Sequence, residues 1–152
     1  MIPARVAGGL VLAVVGLTLV AGCRNGETKT SLPDSASPRQ VVAAYLDAIN
    51  AHDVEAGRRL STRRFAEREE NVTGSLFDDA ELSDVKIEVP RPEPGYGSRN
   101  GGRHREAVYV PVSFTLRHSD DVSMPNGPTV WGYVLVRAGE DEPWRIDDAG
   151  VG

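Results

Sequence analysis

Apolar residues recur with two different periods along the chain, and the change of period divides it. Val41, Val42, Tyr45, Leu46 and Ile49 fall at i, i+1, i+4, i+5 and i+8, one face of a helix. Just before them, Ser37-Pro38 supplies a side chain that caps free backbone amides and a proline suited to the first helical position. The pattern therefore predicts a helix over residues 38–50. His52-Asp53 interrupts it, and Asp53 is placed to cap a second, more basic helix over residues 54–68, with Leu60 and Phe65 as its main apolar contacts. Asn71-Val72-Thr73-Gly74 ends that stretch.

The second half of the chain has period two. Residues 82–90 set Val85, Ile87 and Val89 on one side and Asp84, Lys86 and Glu88 on the other, a half-buried strand. Residues 91–105, rich in proline, glycine and arginine, read as a long mobile loop. Val108, Val110, Val112, Phe114 and Leu116 share one face of a long strand over residues 106–118. Asn126-Gly127 marks a turn, residues 129–137 form another strand, and residues 144–148 form a short last one. Helices first, then antiparallel strands joined by hairpins, predict an α+β fold with N-terminal helices packed on one face of a curved antiparallel sheet.

The N-terminus follows neither period. Arg5 is the only charged side chain in residues 1–22, and an apolar run follows it, the layout of an export signal too short for a comfortable membrane span. Leu19-Val20-Ala21-Gly22-Cys23 resembles the lipobox of bacterial prolipoproteins. That resemblance implies cleavage before Cys23, attachment of diacylglyceryl and often a further chain such as palmitate, and a domain held on the extracytoplasmic side of the cell membrane. Two or three chains anchor stably where one does not, because each buried methylene contributes about 0.8 kcal/mol. Residues 24–37 are polar and rich in turn formers, a flexible tether with a mean reach of about 20 Å. The expected organisation is a signal peptide over 1–22, a lipidated N-terminus and tether over 23–37, and a single domain over 38–152. The competing reading is an ordinary secretory signal or plain N-terminal anchor with a cysteine near its end.

Composition narrows the function classes. With 40% hydrophobic and 26% charged residues in a chain of 152, the domain reads as soluble and globular, and a net charge of -5 argues against a general nucleic-acid binder. One cysteine excludes an internal disulfide and any thiolate zinc cluster. His52, His104 and His118 lack metal-ligand spacing, Gly95-Tyr96-Gly97-Ser98 lacks the ending of a phosphate loop, and there is no Gly-x-Ser-x-Gly elbow. No cofactor or metal is expected. Arg99, Arg103, His104 and Arg105 suit either an anionic partner, such as acidic headgroups or a cell-wall polymer, or a plain exposed loop.

The run from Val41 to Asp53, followed by a second helix and closed by Pro143-Trp144-Arg145-Ile146-Asp147-Asp148, resembles the nuclear-transport-factor-2-like superfamily. This superfamily includes ketosteroid isomerases and polyketide cyclases. The resemblance implies a cone of helices and strongly bent sheet, and leaves dimerisation through the sheet as an option. It identifies a fold better than an activity, because one fold hosts many functions. In ketosteroid isomerases a tyrosine on the first helix stabilises an enolate and a carboxylate after the second helix moves the proton; Tyr45 and Glu69 fall at those positions. No acid on the strands matches the third member of that set. Tyr45 also suits an ordinary core tyrosine, and Glu69 a solvated charged segment.

Trp131, Tyr133 and Leu135 share a strand face, so Tyr45, Trp131 and Tyr133 are candidates to line a cavity for a small apolar ligand, or else to fill the core. The expected function is a non-enzymatic binding or interaction module at the cell surface, its partner a small apolar ligand or a cell-envelope protein. The alternative is a cavity enzyme of the isomerase or cyclase kind.

Overall fold

Helix α1 (Pro38–Asn50) begins and ends where the sequence places it. Ser37 caps it, and the Gln40 side chain bonds back to the Ser37 amide at 2.8 Å, so two free donors are satisfied reciprocally. In the computed structural model, which describes residues 32–71, 74–96, 106–119 and 124–151, its five apolar positions are all buried. Asp53 caps α2 (Val54–Arg59) by accepting from the Ala56 amide at 2.9 Å.

The expected single helix over 54–68 is in fact two. The chain leaves the helix at Leu60, runs extended through Ser61-Thr62, and resumes as α3 (Arg63–Glu70), capped by the Thr62 hydroxyl. The break has a non-local cause. The Thr62 amide donates to the Ile146 carbonyl at 2.8 Å and the Ile146 amide to the Leu60 carbonyl at 2.9 Å, so Ser61 forms a parallel bridge along the outer edge of the last strand. An exposed strand edge is thereby covered. A four-residue helix, α4 (Leu76–Asp79), follows and was not anticipated.

Among the described residues the strands are β1 (Glu81–Ile87), β2 (Arg91–Pro92), β3 (Glu106–Arg117), β4 (Gly127–Arg137) and β5 (Arg145–Gly150). All pairings are antiparallel in the order β1-β3-β4-β5, with β2 also on β3. The fold is α+β, helices first and a five-stranded antiparallel sheet after them. Part of the expected mobile loop is therefore sheet: Arg91 pairs with Tyr109 and Pro92 with Val108. Among the described residues no helix is long and apolar enough to cross a membrane.

Two bulges set which side chains face inward. In β1 the register slips between Ser83 and Lys86, with Asp84 at φ 53°, so Leu82 and Ile87 turn to the core side together. The simple alternation fails there, and Val85 and Val89, expected inside, are exposed. In β5 the slip between the partners of Val134 and Leu135 leaves Asp147 as the extra residue, and Ile146 and Asp147 are both buried despite being neighbours.

The inner face of the sheet packs Val110, Val112, Phe114, Leu116, Tyr133 and Leu135 against α1 and Phe65 of α3. Asn50 ties α1 to β1, accepting from the Leu82 amide at 2.7 Å and donating to its carbonyl at 3.0 Å. On the outer face the Tyr109 ring lies across Gly132, where any Cβ would overlap it.

Candidate functional site

Helices α1 to α4 leave a cavity of about 230 Å³ between them. α1 contributes Tyr45; α2 contributes Val54, Gly57 and Arg58; α3 contributes Ala66, Glu69 and Glu70. Phe77 and Asp78 of α4 close the remaining side. Gly57 is required by this arrangement, since a Cβ there would run into the Phe77 ring. Ser61, at the break between α2 and α3, also lines the space and donates to the Gly57 carbonyl at 2.8 Å. The helix break unforeseen in the sequence is thus part of the cavity wall.

Tyr45 is held by rings on three sides. Its centroid lies 5.5 Å from Phe77, 5.5 Å from Tyr133 and 6.2 Å from Phe65, all edge-on, the preferred geometry for aromatic pairs. The residue is only 3% exposed, yet among the described residues its hydroxyl makes no hydrogen bond. Burial, reinforced by Tyr133 and by the negative charge of Glu69, pushes its pKa far above the ordinary tyrosine range. It is a neutral phenol, able to donate and to accept.

Glu69 faces the same cavity with about a third of its side chain exposed. Burial raises its pKa above the usual 4.5; the nearby Arg68 charge opposes the shift and Asp148 adds to it. Arg68 is a weak partner for Glu69. Its Nε stands 3.9 Å away, while its Nη2 is committed to Asp148 at 2.7 Å and its plane lies over Phe65. Arg58 pairs with Glu70, and with Glu55 at 3.8 Å.

A second polar cluster stands at β5. The Asp147 carboxylate, 2% exposed, accepts from Thr62 Oγ1 at 2.6 Å, Arg64 Nη2 at 2.7 Å and the Tyr96 hydroxyl at 3.1 Å. Arg64 also donates to the Asp147 carbonyl at 2.8 Å. Burial alone would raise the Asp147 pKa, but the bonds from Arg64 and Thr62, the Arg64 charge and Tyr96 outweigh it and hold it below 3.8. Satisfied on all sides, this group is a structural clasp binding α3, β5 and the chain after β2.

Of the residues singled out in the sequence, Tyr45 and Glu69 come together in one cavity. Tyr133 lies in the core behind Tyr45, and Trp131 is partly buried against the same core; neither lines the cavity. Cys23, the tether up to residue 31, the Arg99–Arg105 cluster with His104, and Val72-Thr73 lie outside the described residues. Sequence reasoning missed Arg58, Ser61, Phe77 and Asp78, because the cavity depends on a helix break and a four-residue helix that local pattern does not announce. It also missed Asp147, whose inward turn depends on the bulge.

Fold and site together define an α+β domain with a small helix-side cavity that holds a phenol and a poorly paired carboxylate. Residues 39–150 match the family described as Domain of unknown function (DUF4829), and the chain belongs to that family. No curated protein and no solved structure matches it.

Proposed function

We propose that this chain is a lipid-anchored, extracytoplasmic binding module of nuclear-transport-factor-2-like architecture that takes a small ligand into its helix-side cavity without transforming it. The observation that carries the reading is Tyr45: a residue only 3% exposed that lines the cavity wall and whose hydroxyl is unbonded among the described residues. A polar group open to a cavity between apolar walls is the kind of group that fixes the orientation of a small ligand. The anchor rests on Leu19-Val20-Ala21-Gly22-Cys23. The cone reading is supported by the helix-first order and by the bulges at Ser83/Lys86 and Asp147, which are devices that bend strands.

The cavity volume of about 230 Å³ falls below the roughly 300–1,000 Å³ of pockets for drug-sized ligands, so the ligand is smaller than a steroid. Ligand-observed NMR with small fragments tests the reading, with Val54→Trp adding bulk at the cavity wall. Binding that Val54→Trp abolishes supports it. An absence of binding, or binding indifferent to Val54→Trp, refutes it.

A second reading has one observation in its favour, the convergence of Tyr45 and Glu69. The Glu69 carboxylate would take the proton from a carbon beside a carbonyl, while the Tyr45 hydroxyl donates to the enolate oxygen that forms. Deuterium exchange into cyclohexanone decides it. Catalysed exchange lost in both Tyr45→Phe and Glu69→Gln establishes an enzyme, and exchange at the rate of buffer alone dismisses one.

A further inference from the structure

The charges around the cavity select among ligands. Its described lining carries three carboxylates, Glu69, Glu70 and Asp78, against one cation, Arg58. Arg58 is occupied by Glu70 and Glu55, which takes that pair out of the balance. Glu69 has only the distant and committed Arg68, and Asp78 forms no ion pair among the described residues. Two carboxylates therefore face the space without a close cation, in a protein whose net charge is already -5. A recess lined by one sign of charge within low-dielectric walls focuses field and concentrates counter-ions.

The Tyr45 hydroxyl is a second, independent observation. Tyr45 as a residue is only 3% exposed, its hydroxyl is unbonded among the described residues, and the phenol oxygen can accept. Phe77 and the Tyr45 ring make the rest of that wall aromatic, which suits both an apolar body and a cationic head. An anion entering the same space would meet Glu69, Glu70 and Asp78. A neutral ligand would leave the Glu69 charge as poorly paired as before.

The geometry points to a small organic ammonium ion as the ligand of this cavity, its N–H groups donating to Glu69 and to the Tyr45 hydroxyl and its apolar part lying on Phe77. This rests on the reading of the chain as a small-ligand binding module and specifies what that module holds. The volume corresponds to about seven or eight waters at liquid density, enough for a primary amine with a short apolar or single-ring body.

The test compares three probes of one shape: phenethylammonium, 2-phenylethanol and phenylacetate. Each is titrated into the full-length chain at neutral pH while the backbone amides of Gly57, Ala66 and Glu69 are followed by NMR. The amine should saturate these shifts with a dissociation constant at least about tenfold below those of the alcohol and the acid, a gain of about 1.4 kcal/mol. Glu69→Gln should bring the amine to the level of the alcohol, and Asp78→Asn should weaken it in the same direction by less. Equal binding of the three probes, or a preference for the alcohol or the acid, overturns the ammonium assignment and leaves the binding module standing. An absence of shifts with every probe, in a chain whose amide spectrum is that of a folded protein, overturns both.

Discussion

Removing the carboxylate of Asp147 should be among the most damaging single changes to the domain, although the residue lies outside the cavity. Its side chain accepts three hydrogen bonds, from Thr62, Arg64 and Tyr96, and it is 2% exposed. A bond to a charged group is worth about 1.5–3 kcal/mol net, but the three are not additive here. Arg64 is half exposed and recovers water when its partner goes, and the desolvation of the carboxylate is relieved at the same time. Asp147→Ala should therefore destabilise by about 2–3 kcal/mol, somewhat less than the loss of a partner from a fully buried ion pair. At about 3–5 °C per kcal/mol for a domain of this size, the melting midpoint should fall by about 10 °C.

Urea unfolding followed by the fluorescence of Trp131 and Trp144 measures the change, with an unaltered slope confirming that stability alone moved. The sign of the pH dependence is fixed as well. A carboxyl held below 3.8 in the folded state contributes stability that is complete above 3.8 and is lost as pH falls through the folded value. The gap between the parent and Asp147→Ala should narrow as the solution is acidified through that window. A variant within about 0.5 kcal/mol of the parent at neutral pH, the range of an ordinary surface substitution, would refute the clasp.

Other consequences follow from the same contacts. Glu69 has a raised pKa, so its carboxylate costs stability above the folded value and the cost vanishes below 4.5; Glu69→Gln should be at least as stable as the parent in neutral urea titrations, with the advantage gone at acid pH. Gly132→Ala drives a methyl into the Tyr109 ring and should cost about 1–3 kcal/mol in thermal melts, a penalty that shrinks when Tyr109→Ala is added. Cys23→Ser should leave the chain uncleaved or release it from the membrane fraction, and unchanged anchoring would remove the lipoprotein reading.

Where order is local, it was legible. Ser37 and Pro38 mark the start of α1, and its period of apolar residues identifies every buried position on it except Ala48. The inward set of β3 reads directly from twelve residues of alternation. What was hidden depends on partners distant in sequence. Within residues 54–68 only the capping character of Ser61-Thr62 hints at a break, and the bonds that enforce it belong to Ile146. Likewise the extra residue in β5 turns Asp147 inward beside Ile146, which no strict alternation permits. The Tyr45–Glu69 pair was found through a family resemblance in register, while the residues that enclose it became visible only once α2, α3 and α4 were placed around them.

The central claim is that Tyr45 and Glu69 look into one ligand-accessible space. Carbon-13 NMR of Tyr45 Cζ and Glu69 Cδ during titration with phenethylammonium tests it most directly. Both resonances should move together and saturate at the same concentration, while Asp147 Cγ, closed within its clasp, stays in place. If the amine binds and the Tyr45 and Glu69 signals remain still, the cavity is not the site and the account fails.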